Sequence, residues 1–425
     1  MRICILGKFP PIAGGVSHQT YLAAHELARR GHGVFVVTNA AEVEPEFRQM
    51  LLPGDAERLD CDHGEGFVRC VQTETVPVGS YLPWAQPYAS KLFGLGLSVI
   101  EEHGCDLLVG WYLEPYGLVA AQLAAATGAP LVLRHAGSDV GRLAQNPDLR
   151  PAYDWALRRA ERVLTTPSSS DLLADLGADR SRQLFLEGSR PPPYFRPDAD
   201  PLDLDDVRRR AASRWEAVGL SADGGERAPY APGTPTIGVY GKVGETKGSF
   251  DLLTALDELA AAGRAFNFLA MIGGHRRTLR AFVERVRESP PLADRTTLIP
   301  FLAPWRVPAF LRHCDLTCFA ERGFPIAVHA PRIPEEILLM GSCLVCSREV
   351  AEKQFFAPSL VDGRNYLLLD DPRDTREFAT RLAWALDHRD EVRAIAARGR
   401  ALVQSLSRGL PRRDGHADAI EGLLV

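Results

Sequence analysis

Lysine is scarce in this chain. Lys plus Arg number 49, yet only Lys8, Lys91, Lys242, Lys247 and Lys353 are lysines. An excess of charge of either sign is also missing: 54 acidic residues leave a net charge of −5. That balance excludes the basic surplus of a nucleic-acid binder, while leaving room for a local basic patch in peripheral membrane contact. No apolar run reaches the roughly 18–20 residues of a membrane-spanning helix. Arg2 to Leu6 is a short apolar run broken at Gly7 and at Pro10-Pro11, which reads as a buried strand and not as a signal peptide. The G-x-G-x-x-G dinucleotide fingerprint is absent. The eight cysteines are scattered, several in strand-like runs, the usage of a cytoplasmic protein with reduced thiols. Cys343-Leu-Val-Cys346 has the CxxC spacing without a partner pair, so it carries no metal or redox expectation.

What is present is an alternation of strands and helices, run through twice. At 425 residues the chain calls for about two or three domains. The first series has strands near Ile3–Leu6, Val34–Thr38, Val68–Val76, Asp106–Val109, Pro130–Leu133, Val163–Thr165 and Gln183–Leu186, with residues 51–66 read as loop. Arg190-Pro-Pro-Pro-Tyr-Phe-Arg-Pro197 cannot continue a helix or a central strand. A Gly-, Pro- and Ala-rich connector follows, and a second series starts at Thr236. The expected class is α/β, with two doubly wound, Rossmann-like domains facing each other across a cleft. The expected boundaries are 1–195, a linker with a helix at 196–235, 236–400, and a helical tail at 401–425 that packs back on the first domain.

Two of the five lysines fall in one loop. Thr236-Ile-Gly-Val-Tyr-Gly-Lys-Val-Gly-Glu-Thr-Lys-Gly-Ser249 reads as strand, glycine turn and helix start. Backbone N–H groups and the helix dipole there point at an anion, and the ammonium groups of Lys242 and Lys247 neutralise it. Gly241 and Gly248 supply the turns, and a diphosphate is the expected occupant. Gly14-Gly15, beyond the first strand, equally lets backbone approach a ligand. Glu335 and Glu336 follow Pro334 in the first turn of a later helix, where acids complement the dipole. One of them, with Glu336 favoured, is placed to accept hydrogen bonds from ligand hydroxyls. Arg134-His-Ala-Gly-Ser-Asp139 and Trp111-Tyr-Leu-Glu114 follow strands of the first series. Trp111, Glu114 and Asp139 are therefore candidates for acceptor contact, with Asp139 equally placed to cap a helix.

These motifs, in this order, resemble those of retaining glycosyltransferase family 4, whose two-domain plan is called GT-B. The likeness rests on Gly14-Gly15-Val16, on Gly241-Lys242 and Lys247-Gly248, on Glu336-Ile-Leu-Leu-Met-Gly341 with the Cys343-Leu-Val strand, and on Val361-Asp-Gly-Arg-Asn-Tyr-Leu-Leu-Leu-Asp370. The resemblance implies transfer of a sugar from a nucleotide-diphosphate sugar, UDP- or GDP-linked, to an acceptor hydroxyl on a small molecule or glycan, with anomeric retention. It implies that Lys242 and Lys247 hold the diphosphate, Glu336 the ribose hydroxyls, Gly15 the phosphate and sugar, and His135 the transferred sugar. The chain departs from the family at the acid eight residues before the later Glu, where Val328 and Ala327 stand. His329 and Glu321 are the nearest polar substitutes. The chain is read as lacking an Asp-x-Asp metal motif, so no metal ligand, no divalent ion and no other cofactor is expected. The Arg- and Ala-rich composition suits a GC-rich bacterial genome. An epimerase of the same fold and a non-catalytic nucleotide-binding subunit are the alternative readings.

Overall fold

The structure, a computed structural model, describes all residues except 76–86, 187–190, 218–229, 327–329, 410–414 and 424–425. The first sheet is built from β1 (Arg2–Gly7), β2 (Gly33–Thr38), β3 (Cys61–His63), β4 (Gly66–Gln72), β5 (Leu107–Trp111), β6 (Leu131–Arg134), β7 (Arg162–Thr165) and β8 (Gln183–Phe185). Their order is β3-β4-β2-β1-β5-β6-β7-β8, parallel except for the antiparallel β3. The second sheet holds β9 (Thr236–Lys242), β10 (Asn267–Gly273), β11 (Thr296–Pro300), β12 (Leu316–Phe319), β13 (Cys343–Ser347) and β14 (Leu367–Leu369), in the order β11-β10-β9-β12-β13-β14. Runs such as Ile3 to Leu6 and Phe268 to Ile272 are buried along their whole length. Helices cover both faces of each sheet, which is why these strands read as continuous and not alternating apolar runs.

Each sheet reverses its direction of growth beside its first strand, at β1/β5 and at β9/β12. Ligands of open α/β sheets bind beyond the carboxyl ends of strands at such switch points. The loops after β1 and β9 are the two glycine loops singled out in the sequence. Each runs into a helix, Gly15–Arg29 and Ser249–Ala261.

The segment between β2 and β3 clips the two units together. The Met50 N–H donates to the Phe301 carbonyl at 2.8 Å. Asp55, fully buried, accepts from the Trp305 indole at 2.6 Å and pairs with Arg306 at 2.9 Å. The helix Gly415–Glu421 lies against the first domain: Ala417 and Ile420 join its core, and Glu421 accepts from Arg30 at 2.7 Å.

Three expectations need correction. Residues 51–66 contain β3, a three-residue edge strand of Cys, Asp and His too short and polar to show a strand period. Trp111 ends β5 and is not a loop residue. The strand–helix alternation of the second series predicts one helix over 304–313; the structure has a 3-10 turn, Pro304–Arg306, followed by a short helix, Val307–Leu311. Pro308, which has no N–H to donate, stands in the first turn of that second piece.

Candidate functional site

The C-terminal switch loop is rigidly built. Gly248, at φ 66°, caps the helix Ser249–Ala261 with no side-chain cap. A Cβ there would lie 2.1 Å from the Ala320 carbonyl oxygen, so only glycine lets the helix start seat against the end of β12. Ser249 Oγ accepts from the Gly244 N–H at 3.1 Å. Lys247 pairs with Glu321, whose side chain is fully buried, and its ammonium sits 4.0 Å from the Phe324 ring centre. Burial raises the Glu321 carboxyl and Lys247 opposes that rise. Glu321 is thus the partner that orients Lys247.

The N-terminal switch loop is open. Gly14, at φ 126°, precedes the helix Gly15–Arg29, again with no side-chain cap. A Cβ on Gly14 or Gly15 would meet nothing within 4 Å. The backbone of this turn is therefore open to close approach.

Cations from both domains lie near enough to repel one another. Lys8, just beyond β1, lies 3.8 Å over the Tyr112 ring. Burial, then repulsion from Lys242, lowers its pKa to about 8; Asp139 opposes that shift and Arg142 adds to it. Lys242 lies 5.6 Å over the Phe47 ring and is lowered by burial, then by Lys247 and Arg142. Clustering buried positive charge costs stability, so the arrangement is suited to an anion that offsets the repulsion. Lys8 and Arg142 are absent from the sequence-based candidates. The scarcity of lysine was a usable signal for Lys8, because it is one of the five.

Tyr112, at φ 82°, is the one non-glycine with positive φ among the described residues. Its hydroxyl shares a hydrogen bond of 2.9 Å with Ser138. A bulky side chain held in this region is strained and marks a position worth a functional hypothesis.

On the C-terminal side, Pro334 opens the helix Ile333–Met340 and places both acids in its first turn. Glu336 is half-buried and accepts from the Tyr240 hydroxyl at 2.6 Å. Burial raises it, and Tyr240 opposes that. Glu335 is 4% exposed and pairs with Arg332 at 3.0 Å. Its second oxygen, Oε1, is buried without a partner among the described residues. Tyr194, whose hydroxyl bonds to His18, is held well above its usual range by burial and then by Glu336. Tyr194 comes from the stretch read only as a boundary.

Several candidates have other employment. Trp111 is fully buried, its ring 4.8 Å from that of His416, so it presents no surface to an acceptor. Asp139 is also fully buried. It accepts from the backbone N–H groups of Leu113 at 2.9 Å, Ala136 at 2.9 Å and Val140 at 2.8 Å. It is a joint between the β5 and β6 loops, and not an acceptor contact. His135 is 3% exposed and shares a 2.8 Å hydrogen bond with Thr165. Burial, then Arg134, lowers its pKa to about 3, so the ring is neutral and ties β6 to β7. Glu114 is half-buried, with its carboxylate 3.4 Å from the Tyr153 hydroxyl. Gly241, at φ 120°, makes the turn after Tyr240. His329 lies outside the described residues. The reading that the chain lacks an Asp-x-Asp spacing needs correction: Asp60/Asp62 stand at the start of β3, and Asp198/Asp200 and Asp203/Asp205 in the connector, none of them in either glycine loop.

Residues 14–187 match a glycosyl transferase 4-like domain. A 2-deoxystreptamine glucosyltransferase of Streptomyces kanamyceticus is 30% identical over 181 residues, which is 42% of this chain and 41% of that protein. The chain thus aligns with less than half the length of that curated relative. Among solved structures, Anabaena HepE in complex with UDP and glucose superposes with a TM-score of 0.61 at 16% identity, over 100% of this chain and 99% of that one. Sucrose-phosphate synthase of Thermosynechococcus elongatus gives 0.63 at 15% identity, over 100% and 98%. WaaG, a glycosyltransferase involved in lipopolysaccharide biosynthesis, gives 0.59 at 14% identity, over 99% and 98%. The architecture is that of the GT-B glycosyltransferases. No helix among the described residues is long and apolar enough to cross a membrane.

Proposed function

We propose that this chain, a GT-B protein with a glycosyl transferase 4-like N-terminal domain, transfers a sugar from a nucleoside-diphosphate sugar to an acceptor hydroxyl with retention of anomeric configuration. What supports this reading is that Lys8, just beyond β1, and Lys242, at the end of β9, lie near enough to repel each other and Arg142, each followed in the chain by a glycine-started helix. The donor's diphosphate lies there, and Lys247, oriented by Glu321, completes its neutralisation. Glu336, braced by Tyr240, accepts from the ribose hydroxyls.

As the bond from the anomeric carbon to the diphosphate oxygen breaks, negative charge grows on the leaving group. The lysines and helix N–H groups stabilise it more in the transition state than in the bound donor. The acceptor oxygen forms its bond to the anomeric carbon on the face the diphosphate leaves, and its proton passes to a diphosphate oxygen. With side-chain cations in place, turnover requires no divalent ion.

UDP-glucose is the first donor to test, because HepE was solved with it, and 2-deoxystreptamine is the first acceptor, because the glucosyltransferase relative is named for it. The anomeric configuration of the product, read by NMR, tests retention. Inverted product refutes it. Donor converted without any acceptor supports the epimerase reading instead. Donor bound without turnover across the acceptor panel supports a non-catalytic subunit.

A further inference from the structure

We propose that His25, Cys61 and His63 form a binding site for a zinc-like divalent cation on the N-terminal domain, separate from the sugar-donor cleft. Cys61 and His63 alternate on β3, which puts both side chains on one face of this edge strand. That face lies on the helix Gly15–Arg29, from which His25 projects, 2% exposed.

His25 Nδ1 and His63 Nε2 are 2.9 Å apart. Cys61 Sγ lies 3.8 Å from the first nitrogen and 3.5 Å from the second. A tetrahedral zinc ion with ordinary bond lengths would span ligand edges of about 3.3 Å for N to N and about 3.5 Å for N to S. The three donor atoms therefore need shifts of only a few tenths of an ångström to take one ion. A hydrogen bond between the two rings would give the same 2.9 Å contact. It is the sulfur at the third corner, in reach of both nitrogens, that turns a histidine pair into a ligand set.

Two imidazoles and a thiolate suit zinc better than magnesium or calcium, which take oxygen. Cys61 and His63 are half-exposed, so water can enter and fill a fourth position. The neighbouring carboxylates are engaged elsewhere: Asp62 pairs with Arg69 at 2.7 Å, and Asp60 accepts from the Cys70 N–H at 3.3 Å. His25 stands ten residues along its helix from Gly15, about 15 Å from the open glycine loop. An ion here fastens the edge strand to the helix that presents that loop. It takes no part in diphosphate chemistry.

The test uses the tag-free full chain, stripped with chelator and titrated with zinc and then with cobalt. One equivalent is expected to bind, and the cobalt form should show thiolate-to-cobalt charge transfer with tetrahedral ligand-field bands. Cys61→Ser should abolish the charge-transfer band. His63→Ala should weaken zinc binding by at least about tenfold, the low end of what even outer-shell losses cost. Both substitutions fall at half-exposed edge positions, and an unchanged metal-free melting midpoint verifies that each variant is folded. Absence of stoichiometric binding would overturn the proposal, as would a cobalt spectrum that survives in folded Cys61→Ser.

Discussion

Gly14 and Gly248 occupy matching places in the two domains. Each follows the first strand of its sheet, each has positive φ, and each starts a helix that has no side-chain cap. Their surroundings are opposite. An added Cβ on Gly248 would press on the Ala320 carbonyl, whereas one on Gly14 or Gly15 would enter empty space. The lysines divide the same way: Lys247 is tied to Glu321, while Lys8 is set over a tyrosine ring beside other cations. The C-terminal loop is thus fixed by its own packing and its own ion pair. In the N-terminal loop Gly14 is required by its backbone conformation alone, and Gly15 has no packing reason to be glycine. A repeated motif does not imply a repeated reason for its residues.

Gly248→Ala should bring the largest change. The left-handed backbone costs about 1–2 kcal/mol with a Cβ, and the clash adds about 1–3 kcal/mol. A loss of about 2–5 kcal/mol in denaturant unfolding is expected, with donor binding lost alongside; unchanged stability would break the contrast. Lys242→Ala comes next. We expect kcat/KM to fall about 100- to 1000-fold, the range for removing one donor to a developing anion, while the melting midpoint holds steady or rises because a repelling charge is gone. A fall under tenfold would remove Lys242 from the diphosphate.

Gly15→Ala sharpens the comparison most. Alanine is the better helix former by about 0.5–1 kcal/mol, and nothing opposes its methyl. Stability should stay level or rise while donor affinity drops about tenfold or more by steric exclusion, a loss of about 1.4 kcal/mol. A variant with full affinity would mean that no phosphate approaches this turn. The smallest effect is one of pH. Lys8, lowered to about 8 by burial and then by Lys242, is charged below that pH and neutral above it. Nucleoside-diphosphate affinity should therefore fall as pH rises through about 8, by up to about tenfold per unit. Lys8→Met should flatten that slope.

Much of the fold, and the loops of the candidate site, were legible in the sequence. Continuous apolar runs beyond glycine punctuation announced both sheets, because strands buried on both faces have no polar alternation to hide them. Lys242 and Lys247 stood out because lysine is rare in this chain, and the Glu335-Glu336 pair because Pro334 marks a helix start, although first-turn acids also serve the helix dipole. What stayed hidden depends on distant parts of the chain. Asp139 takes its N–H partners partly from the β5 loop, at Leu113, 26 residues away. Tyr194 enters the site from a proline-rich connector, and Lys8 gains its meaning only when the second domain brings Lys242 near. His135 and Trp111 sit at the carboxyl ends of their strands as ligand contacts would, yet burial closes them off. Position beyond a strand narrows the candidates, and exposure chooses among them.

The central claim is that one diphosphate is held by cations of both domains. A double-mutant cycle on UDP affinity, measured calorimetrically for the wild type, Lys8→Met, Lys242→Met and the pair, tests it most directly. Each single change should weaken binding, and the pair should depart from additivity by about 0.5 kcal/mol or more, as residues sharing one partner do. Binding untouched by Lys8→Met, with Lys242→Met accounting for the whole effect of the pair, would place the diphosphate on the C-terminal domain alone and contradict the account.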